Sequence, residues 1–497
     1  MDELRDIPPI RWLLPISLIV PVCVGTIAWL NGFDGLYGQD AFAYYDYGVN
    51  ALREQFYPPL PFFWPPGYPL VIFLTSFVVG ASPLAGQLVS LLCGGLVVLA
   101  TGLLTYEVWR GEHRLAASLL AASVMAVAGQ VWQSSAVVMA DTLALATATM
   151  GVWALARYAR LLERRSDVSF WLAVAAGLVG YATITRWIYG TVAIVCTMYA
   201  LWLFWQHRVV ALRHGMIAAV VALAVLVPVL LPSLTGGETF GGNFQLQFKN
   251  WHPEYAFQHE FENADGRFSF AEVNALYYGR LLSTPFYFTP VLALFTLPGL
   301  LSVRRRSFLP VVGWLLIVFG LLVGVPQQNI RFGLSYAPPV AVLCGVGMVS
   351  MWMWLWRFRR LQWVLVPVVA WGMVWAVLSG IDLTQSFIAR QQHDMATVRW
   401  VESRVPANAQ IITFGLTLSI DHYTDIEPHE IYYLSVGDVE TIVSNGEPTY
   451  LLLDVYNVEQ QWPGKSPHTN YHALLDGPGL TERGQYRAFT LFEVNYE

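Results

Sequence analysis

Long uninterrupted apolar stretches constrain this chain more than any other feature. Runs such as residues 12 to 30, 84 to 106 and 361 to 383 exceed the roughly 18 residues that carry a helix across a bilayer. Across the whole chain 56% of residues are hydrophobic and 12% are charged. Hydrocarbon offers no water to an unpaired backbone, so segments of this kind must be helical. Spans are expected near residues 12 to 30, 84 to 106, 115 to 131, 137 to 156, 168 to 185, 188 to 205, 215 to 232, 286 to 302, 308 to 325, 333 to 356 and 361 to 383, eleven transmembrane helices in all. The first is too long for a signal-peptide core and has no small-residue cleavage site, so it reads as a retained anchor. Cys23, Cys93, Cys196 and Cys344 all fall within apolar runs and show no CxxC spacing, which argues against both a disulfide framework and a cysteine-held zinc.

Orientation follows from the basic residues, because cytoplasmic loops collect Lys and Arg. Of the 22 basic residues before position 390, sixteen fall on one side of this arrangement: Arg5, Arg11, Arg110, Arg114, Arg157, Arg160, Arg164, Arg165, Arg208, Arg213, Arg304, Arg305, Arg306, Arg357, Arg359 and Arg360. An odd number of spans then places the N-terminus in the cytoplasm. The loops at residues 31–83 and 233–285, and the C-terminus, lie outside.

From residue 390 the composition turns soluble, with 6 basic and 15 acidic residues and a net charge of −9. The chain is therefore read as a membrane domain, 1–389, followed by an extracytoplasmic α/β domain, 390–497. Within the second, the pattern predicts a helix at 396–405, a strand at 410–414, a helix at 416–423, a strand at 430–434, a helix at 438–444 and a strand at 450–455. The acidic balance excludes nucleic acid as a partner. No GxxxxGK[ST] loop supports work driven by ATP.

Chemistry concentrates in loops held by rigid scaffolds, and here the outward loops carry the unusual residues. The first, NGFDGLYGQDAFAYYDYGVNALREQFYPPLPFFWPP, sets Asp34, Asp40 and Asp46 among aromatics beside an apolar span, where ionisable groups are costly and mark function. Asp40 is the candidate functional carboxylate, with an N-cap of a short helix as the structural alternative; Asp34 and Asp46 read as turn caps or solvent-facing groups. Asp141, in SSAVVMADTLALA, sits near the outer end of the fourth span, where a helix-start carboxylate favoured by the macrodipole would also lie. Arg186, in ATITRWIYG, and Arg331, in PQQNIRFGLSYAPP, break the cytoplasmic bias at the outer ends of spans. A guanidinium there can grip a phosphate bidentately or snorkel to lipid headgroups. The aromatic and proline cluster at residues 61 to 70 fits an interfacial segment. In the second loop, His252, Glu254 and His259 have the composition of a metal site without a recognised ligand spacing.

The motifs GQDAFAYYDYG and PPGYPL in the first loop, MADTLALA, the arginine of YATITRWIYG, and RFGLSYAPP together resemble the GT-C membrane glycosyltransferases. They are most similar to the branch related to protein O-mannosyltransferases and aminoarabinose transferases. The resemblance runs the length of the chain, although Ala41 follows Asp40 where many relatives carry a second acidic residue. It implies a multi-span GT-C type fold and transfer of a sugar from a polyprenyl-phosphate donor to a lipid, glycan or protein acceptor outside the cytoplasmic membrane. Asp40 and Asp141 would be the catalytic carboxylates, and Arg186 and Arg331 would hold the donor phosphate. The arginines could supply the charge a metal would otherwise provide, so no cofactor is required and a divalent cation is left open. Two readings from other classes stand beside this one. A transporter or flippase should show charges near mid-membrane and related halves, and a non-catalytic scaffold should tolerate loss of the loop carboxylates.

Overall fold

The apolar runs fold as helices in the computed structural model, which describes residues 9–51, 65–163, 168–234, 250–263, 266–303, 306–358 and 361–495. Arg5, Arg164, Arg165, Arg304, Arg305, Arg359, Arg360 and residues 61–64 of the aromatic and proline cluster lie outside the described residues. Two units emerge: Met1–Leu36 with Tyr44–Phe257 and Val273–Ser386, and Tyr37–Ala43 with Gln258–Glu272 and Phe387–Glu497. The second unit therefore draws one piece from each long loop in addition to the tail, and its tail portion begins at Phe387 where the sequence suggested 390.

The first unit is a multi-span helical membrane bundle. Among the described residues, six helices are long and apolar enough to cross a membrane: Ile10–Leu30, Pro83–Val108, Tyr189–Gln206, Arg306–Val323, Ile330–Leu355 and Leu361–Glu402. A pair bent by 57°, Arg114–Ala126 and Gly129–Ala136, makes up to seven. Gly67–Val79, Ser169–Thr185, Ala211–Val227 and Thr289–Leu301 are apolar but shorter, so the long apolar helices do not by themselves give the expected eleven. For two of the expected spans the physical cause is plain. Pro290 and Pro298 divide the run expected at 286 to 302 into Thr289–Ala293 and Thr296–Leu301. The helix Ala140–Leu162 is enclosed by its neighbours, with 19 of its 23 residues buried, so it meets little lipid and need not be uniformly apolar.

Without a hydrophobic force between helices in lipid, close backbone approach holds such bundles together. The helix Ala337–Leu355 shows how the sequence achieves it. A side chain at Gly347 would collide with the carbonyl of Phe295, and one at Gly345 with the backbone at Ala117 and Ala121. The two glycines admit a neighbouring helix on each side. The first-loop motif PPGYPL is fixed the same way: a side chain at Gly67 would strike the backbone at Ile184 and Thr185, and Tyr181 donates to the Gly67 carbonyl at 2.6 Å.

One end of Ala140–Leu162 carries a buried ionic cluster. Glu107, whose side chain is wholly buried, meets Arg157 at 2.9 Å, Arg160 at 2.8 Å and Arg114 at 3.7 Å. Arg157 also lies over the Trp171 ring and Arg114 over Tyr106. These arginines, which the sequence placed in loops, are partly helical residues that fold back on a single carboxylate.

The second unit is an α/β domain. Its hairpin pairs β1 (Glu260–Asn263) with β2 (Gly266–Ser269). The main sheet has β3 (Gln410–Thr413), β4 (Glu427–Glu430), β5 (Thr449–Leu453), β6 (Leu480–Tyr486) and β7 (Phe489–Val494) in the order β4-β3-β5-β7-β6. β3 pairs in parallel with β4 and β5, and β7 runs antiparallel to β5 and β6. Alternation along β3 and β5 feeds both faces: Ile411 and Leu452 join Val398, Val401 and Ile420 on one side, and Ile412, Leu451 and Leu453 join Val439, Val458, Tyr471 and Leu474 on the other. The helix expected at 396–405 is the end of one continuous helix, Leu365–Glu402. The strand expected at 430–434 lies instead at Glu427–Glu430, an edge strand, which is where Pro428 is tolerated. The closing hairpin β6–β7 and the helices Val455–Gln461 and Ser466–Asp476 go beyond the expected elements.

Candidate functional site

Asp141 occupies the first turn of the helix Ala140–Leu162, where the dipole favours a carboxylate. Its side chain is only 5% exposed, and an ionised carboxylate so placed needs an opposite charge. Two arginines provide it. Arg186, in extended backbone immediately after the helix Ser169–Thr185, pairs through Nη1 with Oδ1. Arg331, in the 3-10 turn Ile330–Tyr336, brings its Nε to 3.4 Å from Oδ2. Both arginine side chains remain 24% exposed.

The turn carrying Arg331 is held by a scaffold of aromatic residues. The Asn329 side chain accepts the Arg331 backbone N–H at 2.9 Å and starts the turn. Tyr278 donates to the Gln327 carbonyl at 3.0 Å and accepts the Asn329 N–H at 3.3 Å. Tyr287 donates to the Ile330 carbonyl at 2.5 Å, Trp314 to Ser335 at 2.7 Å, and Asn274 to Val325 at 2.6 Å. Irregular backbone at membrane depth survives only where its polar groups are satisfied by protein, and these side chains meet that demand. A site held this firmly is pre-organised for a ligand.

A cavity of about 190 Å³ opens over the cluster, lined by Asp141, Arg186 and Arg331 with Trp187, Tyr189 and Gln327 among its walls. Two guanidiniums against one carboxylate give its polar end a net charge of +1. A second, apolar cavity of about 560 Å³ lies between the helices Ala140–Leu162, Ser169–Thr185, Tyr189–Gln206 and Ala211–Val227, walled by residues such as Gly180, Gly190, Ala193, Cys196 and Phe204. The two share the helix Tyr189–Gln206, with Tyr189 on the first and Gly190 on the second. Gly190 and Phe204 are 14 residues apart, so the apolar cavity follows that helix for about 21 Å at roughly 1.5 Å per residue.

Asp40 belongs to the second unit. The helix there runs Gln39–Asp46, so Asp40 is its second residue and lies in the first turn, not at the cap itself. It is partly exposed. Its neighbour Gln39 donates to Glu430 at 3.3 Å, and Thr417 donates to the same carboxylate at 2.7 Å. Burial pushes the Glu430 carboxyl above its ordinary value, and hydrogen bonds from the Thr417 hydroxyl and the Tyr432 and Gly415 N–H groups oppose the shift. Asp34 accepts the Leu36 N–H at 3.0 Å and Asp46 accepts from the Asn50 amide at 2.8 Å, which are local turn and helix contacts. His252, Glu254 and His259 are exposed, and His252 meets Tyr255 edge-on at 5.4 Å. The structure thus brings Asp141, Arg186 and Arg331 into one cluster. Tyr189, Tyr278, Tyr287 and Asn329 carry no direct signal in the sequence; the polar run QQN between apolar segments is the signal that could have found the last.

No family model matches the chain, and no curated protein matches it in sequence. Solved structures do match in fold. ArnT from Cupriavidus metallidurans in the apo state aligns with a TM-score of 0.61, covering 95% of this chain and 97% of ArnT at 14% identity. The same protein bound to undecaprenyl phosphate gives 0.59 at 13% identity over the same shares. The oligosaccharyltransferase AglB from Archaeoglobus fulgidus, in complex with an inhibitory peptide and a dolichol-phosphate, gives 0.57 at 13% identity, covering 93% of this chain and 70% of AglB. At such identities the likeness establishes the fold alone: this chain shares the fold of ArnT and AglB.

Asp141→Asn should leave two guanidiniums close together without their counter-charge. We expect a loss of about 3 kcal/mol in unfolding free energy in detergent, and a smaller loss in the double variant Asp141→Asn/Arg186→Gln than the two single losses together. Additive losses, or an unchanged unfolding curve for Asp141→Asn, would remove charge balance as the role of this carboxylate.

Proposed function

We propose that this chain transfers a sugar from a polyprenyl-phosphate-linked donor to an acceptor hydroxyl on the extracytoplasmic face of the cytoplasmic membrane. The observation that carries the reading is the pairing of a cationic cavity with an apolar one along the same helix. A polyprenyl-phosphate sugar has that polarity: a charged phosphodiester at one end and a long hydrocarbon tail at the other. Structures of the same fold bound to undecaprenyl phosphate and to a dolichol-phosphate support it. Ionic groups gathered at the two ends of Ala140–Leu162, with none between Asp141 and Arg157 along that helix, weigh against a translocation path at mid-membrane.

The charges suit the reaction. A phosphodiester donor carries one negative charge, which matches the net charge of the arginine pair and Asp141. As the bond from the anomeric carbon to the phosphate oxygen breaks, its electron pair passes to that oxygen and the phosphate becomes a dianion. Arg186 and Arg331 therefore attract the leaving group more strongly in the transition state than the donor in the ground state, which is what accelerates a reaction. Asp40 takes the proton of the acceptor hydroxyl as the hydroxyl oxygen attacks the anomeric carbon from the opposite side, so the configuration inverts. Asp141 orients the two guanidiniums, a positioning role in place of direct acid or base chemistry. No metal carries a step in this scheme. The acceptor is a lipid, glycan or protein, and the bias of basic residues places the N-terminus in the cytoplasm and the α/β domain outside.

Arg186→Ala and Arg331→Ala should each weaken binding of a polyprenyl-phosphate donor by roughly 1.5 to 3 kcal/mol, with Lys restoring only part, since a point charge cannot reproduce the planar fork. Unchanged affinity in both would assign these arginines to lipid headgroups. Asp40→Asn keeps the size and first-turn position but removes most of the basicity. Turnover should fall by roughly 10² or more while donor binding persists. Near-normal transfer by the well-folded variant would take the base from Asp40.

A further inference from the structure

The C-terminal α/β domain carries a second constellation, unrelated to the cavity of the membrane unit. His468 and His472 stand four residues apart on the helix Ser466–Asp476, a spacing that puts both on one face. Glu459 projects from the neighbouring helix Val455–Gln461. Its Oε1 lies 3.0 Å from His472 Nε2 and its Oε2 lies 3.5 Å from His468 Nε2. The two imidazole centroids are 4.5 Å apart. One potential ligand atom from each residue lies within 4.8 Å of the others, and among the described residues this is the group of three that converges in this way.

We propose that Glu459, His468 and His472 bind a divalent zinc ion. Tetrahedral zinc with ligand bonds of about 2.0 to 2.1 Å requires ligand atoms roughly 3.3 Å from one another, and the carboxylate-to-imidazole separations bracket that value. Two imidazoles and one carboxylate suit zinc over the hard cations, which prefer oxygen ligands. Three protein ligands leave the fourth position to water. A lone ion pair would need one histidine, whereas here each carboxylate oxygen faces a different ring.

The site is rigid before any metal arrives. Asn470, between the two histidines, donates to the Leu434 carbonyl at 2.8 Å and the Ile431 carbonyl at 3.2 Å, and Ser466 donates to Leu434 at 2.6 Å. Tyr471 and Leu474 bury the opposite face against Val458 of the Glu459 helix. Asp454 accepts the Asn457 N–H at 3.0 Å and so caps that helix. Both ligand helices thus rest on one core, and zinc joins them on the outer side. All three side chains are between a quarter and two fifths exposed, so the ion has a route in.

The test is calorimetric titration of zinc chloride into the full-length protein, purified in detergent, stripped with chelator and free of any polyhistidine tag. We expect one saturable site that raises Tm. It should be lost in His468→Ala/His472→Ala and weakened at least tenfold in Glu459→Gln, with zinc-free Tm values near wild type. Cobalt in place of zinc should give the intense visible bands of a tetrahedral site in the wild type alone. An absence of saturable zinc binding in the wild type would overturn the proposal. So would equal zinc affinity in the wild type and the double variant, which would place the bound ion on other residues. Neither result bears on the sugar-transfer reading, which rests on the other unit's cavities and on Asp40.

Discussion

A charge placed in apolar surroundings must be neutralised where it stands, and the membrane unit is organised around that requirement. Its enclosed helix Ala140–Leu162 is about 33 Å long at roughly 1.5 Å per residue, close to the thickness of a bilayer's hydrocarbon. Each end holds an ionic knot. Near Arg157 and Arg160 one fully buried carboxylate, Glu107, is packed against three arginines. At Asp141 one carboxylate meets two arginines beneath a cavity. The first knot is packed under aromatic rings; the second keeps its guanidiniums partly open. The second lines a cavity that also holds its carboxylate.

The backbone around the open knot explains why its charges hold position. Arg186 follows a helix end and Arg331 sits in a short 3-10 turn, so neither is fixed by regular secondary structure alone. Asp141 holds both side chains, while Tyr278, Tyr287, Trp314 and Asn274 satisfy the carbonyls of the turn that carries Arg331. A buried carbonyl left without a donor costs about 1 to 3 kcal/mol; of these, the Val325 carbonyl also accepts a second donor, the Gln327 N–H at 2.8 Å. The aromatic residues near this loop are therefore structural supports for the arginine, not additional reacting groups.

Much of this was legible in the sequence. Apolar runs announced the membrane helices, the change of composition from residue 390 announced the α/β domain, and outward arginines stood out against the basic bias. Other features depend on tertiary structure and leave no local trace. Glu107 looks like an ordinary helix-end acid until three arginines from other segments meet it. Asp141 reads equally as a helix-start carboxylate or a functional one, and only the fold reveals its pairing with Arg186 and Arg331. The register of β4 was missed because an edge strand with a half-exposed pattern resembles a loop. Glu459 and the His468, His472 pair come from separate helices, so no single motif displays them. For Asp40 the structure refines the local setting, moving it from the cap into the first turn of its helix.

The central claim is that the cationic cavity recognises the phosphate of a lipid carrier while the apolar cavity takes its tail. The most direct measurement compares binding of undecaprenyl phosphate with binding of undecaprenol, the same chain lacking the phosphate, by native mass spectrometry of the wild-type protein in detergent. If the arginine pair reads the phosphate, the phosphorylated lipid should be retained at least tenfold more strongly, which corresponds to about 1.4 kcal/mol. Equal retention of the two lipids would show that only the tail is bound and would contradict the account.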